Sequence, residues 1–107
     1  MSEANNSSAF FCNLDALSAS ERQRRCELAA AVGHAVRKRI ELSDGYALTL
    51  DPKKISEAAL NEWSALEKRC CPFLKFLVRA NSAEQELMLE VIGAEGVKEF
   101  LRAEFSR

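Results

Sequence analysis

A chain of 107 residues with 48% hydrophobic and 29% charged side chains, four Gly and two Pro is long enough for one modest core but too short for separate catalytic and substrate lobes. Fifteen Lys and Arg against sixteen Asp and Glu give a formal net charge of -1, which argues against DNA, RNA or an anionic membrane as partner. No segment has the length of a membrane span, and the first residues lack the basic and apolar regions of a signal peptide, so a cytoplasmic protein is expected.

Residues 1–9, including Asn5-Asn6-Ser7-Ser8, are expected to form a disordered tail, and residues 10–107 a single domain. The adjacent aromatics Phe10 and Phe11 are costly to leave in water, so they and Cys12 are expected to dock on the fold. Ser18-Ala19-Ser20-Glu21 is a capping-box pattern and opens a helix of about 20 residues, with Leu28, Ala29, Val32, Ala35 and Val36 on one apolar stripe. Arg22, Arg24 and Arg25, interleaved with Glu21 and Glu27, and the run Arg37-Lys38-Arg39, read as solvated helix faces.

Ser43-Asp44-Gly45 is a turn signal, after which Tyr46, Leu48 and Leu50 alternate on one face of a short strand that Asp51-Pro52 stops. A second helix is expected from about Lys54 to Cys70, with Ala59, Trp63, Leu66 and Cys70 on its inner stripe. Pro72 bars Cys71 from the helical region, so the helix ends there. Leu74, Phe76 and Val78, then Leu87, Leu89 and Val91, alternate as two strands whose short link permits an antiparallel hairpin. A last helix is expected to carry Val97, Phe100, Leu101 and Phe105 inward. The expected fold is α+β in the order α-β-α-β-β-α, a three-stranded, mainly antiparallel sheet with the helices on one face. Such a narrow sheet has open edges and an outer face carrying Leu77, Met88 and Ile92, so a homodimer is expected.

The chemistry centres on Cys70-Cys71. Free cysteine is most often a small buried hydrophobe, which accounts for Cys70 on the Trp63-Leu66 stripe. It accounts less well for Cys71, expected to be partly exposed at the helix end beside Glu67, Lys68 and Arg69. Thiolates bind soft ions through polarizable sulfur, and the carbonyl-rich end of a helix favours a cation. Neighbouring side chains at a helix end tend to diverge, so a third ligand is required: Cys12 first, with Cys26, His34 and Glu67 as further candidates. Redox chemistry is the competing possibility, and it gains if Cys12 lies close enough to bridge to Cys70 or Cys71. A bridge between the neighbours themselves is disfavoured, because adjacent Cα atoms are about 3.8 Å apart and ordinary disulfides need about 4.4 to 6.8 Å. His34 has no triad or paired carboxylate with it, and neither Gly45 nor Gly93 to Gly96 has the spacing of a phosphate cradle, so no nucleotide or flavin is expected.

Several short stretches carry a resemblance. Cys12-Asn13 with Ala16-Leu17, Asp44-Gly45-Tyr46-Ala47, Glu62-Trp63 with Leu66-Glu67, Arg69-Cys70-Cys71-Pro72-Phe73 and Gly96-Val97-Lys98-Glu99-Phe100-Leu101 resemble a group of short, uncharacterised bacterial proteins. That resemblance implies that Cys12, Cys70 and Cys71 belong together and that relatives occur near heavy-metal resistance functions. It also implies a histidine near position 25 or 26, where this chain has Arg25-Cys26. The expected function is therefore binding of a soft metal ion (Zn, Hg or Cu(I)) or an organometal through Cys12, Cys70 and Cys71, as a sequestering or sensing protein ahead of an enzyme. The alternatives are a thiol oxidoreductase or peroxide-reactive protein, and an interaction module whose cysteines only pack.

Overall fold

The computed structural model describes residues 13–93 and Glu99. The expected tail, Phe10-Phe11-Cys12 and the last helix at Val97 to Phe105 lie outside the described residues.

Asn13 opens a 3-10 turn over Leu14–Ala16, its Oδ1 accepting from the Asp15 N–H at 3.1 Å. Helix α1, Ala19–Ala35, starts with the expected capping box: Ser18 Oγ accepts from the Glu21 N–H at 3.2 Å, and Glu21 Oε1 accepts from the Ser18 N–H at 2.8 Å. Leu28, Val32 and Ala35 are its buried residues, one stripe at helical spacing.

The helix stops earlier than its charge pattern suggests, and the sheet gains a strand. Strand β1, Val36–Leu42, pairs antiparallel with β2, Gly45–Leu50, across the two-residue turn Ser43-Asp44. The sheet is thus four-stranded rather than three-stranded, in the order β1-β2-β4-β3. Every β1 residue except Leu42 is exposed. As an edge strand that the helices do not cover, it has no apolar face to leave a period-two signature, and its Lys and Arg guard an open edge. Gly45, at the exit of the turn, passes so close to β4 that a Cβ would collide with the Val91 carbonyl oxygen and stand 2.8 Å from Ile92 Cα.

Helix α2, Glu57–Cys70, begins three residues later than expected because Ser56 is the cap, its Oγ accepting from the Ala59 N–H at 3.0 Å. Lys54 instead closes a turn, its N–H donating to the Asp51 carbonyl at 3.0 Å. The expected hairpin follows: β3, Leu74–Asn81, pairs antiparallel with β4, Glu86–Gly93, which in turn pairs antiparallel with β2.

Register aligns Tyr46 with Val91 and Phe76, and Leu48 with Leu89 and Val78, so the face read from alternation is the covered one. Leu28 and Val32 of α1 and Leu60, Trp63 and Cys70 of α2 pack onto it. Trp63 meets Phe76 edge to face, with ring centroids 5.7 Å apart. A fully buried leucine such as Leu60 contributes about 2 kcal/mol by transfer from water. On the opposite face Ile40 and Leu77 are exposed and Met88 and Ile92 half-buried. Among the described residues no helix is long and apolar enough to cross a membrane.

Candidate metal centre

The centre is built where α2 ends. Pro72 forces Cys71 out of the helix, to φ -127° and ψ 69°, but the chain does not swing away. The Cys71 N–H donates to the Glu67 carbonyl at 2.7 Å, and the Leu74 N–H donates to the Cys71 carbonyl at 3.1 Å, folding the segment over the helix end. Both cysteine side chains are consequently 0% exposed. This overturns the expectation of a partly exposed Cys71 and a diverging doublet: the two Sγ atoms lie 3.8 Å apart.

Glu67, one turn earlier, faces the same point. Its Oε1 is 3.7 Å from Cys71 Sγ, and the Cys70 thiol reaches the Glu67 carbonyl at 3.6 Å. One ligand atom each from Glu67, Cys70 and Cys71 falls within 4.8 Å of the others, all three residues being buried. The sulfur spacing is that of van der Waals contact, and were both cysteines thiolates it would equal the spacing of two sulfurs bound at about 2.3 Å to one tetrahedral ion, so the group could hold a metal.

The N-terminal segment is fastened to the same helix end. The Asn13 N–H donates to the Cys70 carbonyl at 2.7 Å, satisfying a carbonyl that the helix leaves without a partner. Arg69 adds two ties, to the Ala16 carbonyl at 2.9 Å and to Glu21 Oε2 at 2.7 Å. Of the chain's four cysteines, Cys12 lies outside the described residues, Cys26 and Cys70 are free thiols, and Cys71 is disulfide-bonded. In this oxidised state Cys71 has no thiol proton, so its approaches to Cys70 and Glu67 are contacts in which it donates nothing.

A second helix supplies the counter-charge. Arg25 Nε of α1 sits 2.7 Å from Glu67 Oε2, with side chains 19% and 8% exposed. Nε is close without being aligned, so the contact is an ion pair more than a directed hydrogen bond. Arg25 is therefore not the solvated residue expected from its neighbours. It stands three, seven and ten residues before Leu28, Val32 and Ala35, which places it on the buried stripe. Glu67 lies four residues after Trp63 and three before Cys70, again on the inner stripe. Two opposite charges on two facing apolar stripes were the available signal for this pair.

Burial pushes the Cys70 thiol up from its ordinary range, and Glu67 adds to this while Arg25 opposes it. Burial likewise works against the Arg25 charge, but attraction to Glu67 and to the neighbouring cysteines outweighs it and holds the guanidinium high. Cys70 is thus a protonated thiol at neutral pH, one that a thiophilic ion would have to deprotonate on binding. Neither Cys26 nor His34 joins the group; both are exposed on α1. No family model, curated protein or solved structure matches this chain.

Proposed function

We propose that the protein binds a soft metal ion or organometal through Cys12, Cys70 and Cys71, in a sequestering or sensing role, and that the disulfide at Cys71 is the oxidised, closed form of the same cluster. The observation that carries this is the buried convergence of Glu67, Cys70 and Cys71 at one helix end, with sulfur spacing that suits a single ion. Cys26 and Cys70 are free, and Asn13, the residue after Cys12, is tied to the Cys70 carbonyl. Binding then requires reduction: two electrons and two protons from a small dithiol convert the disulfide to two thiols, and the dithiol leaves as its own disulfide.

A thiol oxidoreductase is the second reading, favoured by the free Cys70 thiol 3.8 Å from a disulfide sulfur. Two features weigh against a relay through Cys70. Its burial disfavours the thiolate, the attacking species, and its attack on Cys71 would create a strained bridge between adjacent residues.

The test is anaerobic Zn2+ and Cu(I) uptake by the purified chain before and after reduction. About one ion per chain is expected after reduction, with loss of titratable thiols, and little before it. Cys71→Ser should abolish uptake while the circular dichroism spectrum is kept. Unchanged uptake by a folded Cys71→Ser chain would reject the site, and turnover of peroxide or disulfide substrates would favour the redox reading.

A further inference from the structure

The two outer strands of the sheet treat their open edges differently. We infer that the edge of β3 pairs antiparallel with β3 of a second copy of this chain, about a two-fold axis at Val78, joining two four-stranded sheets into one.

The β1 edge is guarded. Its register shifts between Val36 and Lys38, and Arg37, Lys38 and Arg39 follow one another along it. Irregular register and cations are devices that keep a strand edge unpaired, and a second β1 laid against this one would set the cations against their own copies. β3 has neither device. Its eight residues, Leu74–Asn81, run in unbroken register with β4, and Lys75, Leu77, Arg79 and Ala80 are exposed, Leu77 by 49%.

The ladder itself tells which backbone groups face the edge. Gly93 donates its N–H to the Asp44 carbonyl, on the β2 side. Hydrogen bonding along a central antiparallel strand switches side at every residue, so Ile92, Glu90 and Met88 bond toward β3, to Lys75, Leu77 and Arg79. The N–H and C=O of Phe76, Val78 and Ala80 therefore point outward, and among the described residues they have no partner. Leu74 agrees with this phase, its N–H turned to the Cys71 carbonyl at 3.1 Å.

Charge selects a second copy and its register. With Val78 on the axis, Phe76 stands opposite the partner's Ala80 and Leu77 opposite the partner's Arg79, and about six main-chain hydrogen bonds close. Glu90, bound to its own Arg79 at 2.8 Å, then has the partner's Arg79 on its other side, across Leu77. Lys75 lies opposite the partner's Asn81, whose neighbour on β4 is Glu86. Opposite charges thus alternate across the seam. An axis at Leu77 would instead set Lys75 directly against Arg79 twice, and an axis at Phe76 would bring Pro72, which has no N–H, into the ladder.

The test is sedimentation equilibrium of the full-length chain carrying Cys26→Ser, so that the exposed thiol cannot cross-link copies. Its mass should rise with concentration from 11.9 kDa toward twice that value. Adding Ala80→Pro removes an outward N–H without taking a bond from β4, and should hold the mass at the monomer value throughout. A parent chain that stays monomeric would overturn the inference. So would a folded Ala80→Pro chain that still dimerises, the result expected if copies met through β1 or stacked through Ile40 and Leu77. Should Ala80→Pro fail to fold, hydrogen exchange of the wild type decides. The Val78 and Ala80 amides should slow by about tenfold or more between dilute and concentrated samples, and the Leu77 amide, already bonded to β4, by much less. Equal Val78 and Ala80 rates at both concentrations would overturn the pairing.

Discussion

Helices α1 and α2 are joined by ion pairs at two depths, and the difference between them locates the chemistry. Outside, Glu21 meets Arg69 at 2.7 Å and Arg24 meets Glu62 at 2.9 Å, with side chains between 36% and 50% exposed. Inside, Arg25 meets Glu67 at the same 2.7 Å with side chains 19% and 8% exposed. Distance is not what separates them. In water a pair is screened and costs side-chain freedom, so it orients the helices more than it holds them. Away from water each charge depends on the other, and the inner pair stands beside two fully buried sulfurs. A fold that needed only to dock two helices could do so with the outer pairs and leucine on the inner stripes. The buried charges are the feature that the proposed ligand centre is meant to explain.

The largest expected effect comes from the disulfide that underlies the inner region. Reduction of the Cys71 disulfide removes a cross-link from the unfolded chain and should lower stability by about 2 to 4 kcal/mol in denaturant unfolding. An unchanged midpoint would mean that the bridge adds nothing to the stability of the fold. Next, Arg25→Met removes the buried counter-charge of Glu67 and should cost about 3 kcal/mol, and Arg25→Met with Glu67→Met should recover most of that loss. Equal costs for the single and double variants would place the inner pair in the same class as the outer ones. Chemical reactivity sharpens the contrast. With a small alkylating agent at neutral pH, peptide mass mapping should find Cys26 modified first and Cys70 only at the rate at which the fold opens.

The smallest effect belongs to the outer seam. A hydrogen bond from Arg69, reinforced by the Ser18 backbone, holds the Glu21 carboxyl at about 2 against an ordinary 4.5. Because the folded value is the lower one, the contribution is present above 4.5 and disappears as pH falls toward 2. Glu21→Gln should therefore flatten the acid side of the stability profile across that window and leave the neutral Tm close to wild type. A large neutral loss would show that the outer pair carries more than its exposure suggests.

How much of this could be read from the sequence follows the same division between covered and uncovered surface. Burial on one face leaves a period, so the inner residues of α1, α2 and β4 were legible, as was the capping box at Ser18. β1 was illegible because neither of its faces is covered, and charged Arg37-Lys38-Arg39 continued the helical pattern without a break. In the candidate centre, Cys70 and Cys71 were found from Pro72 and the helix end, and Glu67 was a candidate by its spacing. Their convergence was not predictable, because it depends on the backbone folding back through Leu74 onto Cys71. Arg25 was read with its exposed neighbours, although its spacing to Leu28, Val32 and Ala35 already set it apart.

The most direct test of the account follows one sample through a redox cycle by native mass spectrometry. The reduced chain is loaded with Zn2+, then mildly oxidised, and metal content and the state of Cys71 are read together. The account predicts that the ion is bound while Cys71 is a thiol and expelled, with a mass loss of two hydrogens, when its disulfide re-forms. Retention of the ion with Cys71 fully bridged would contradict it.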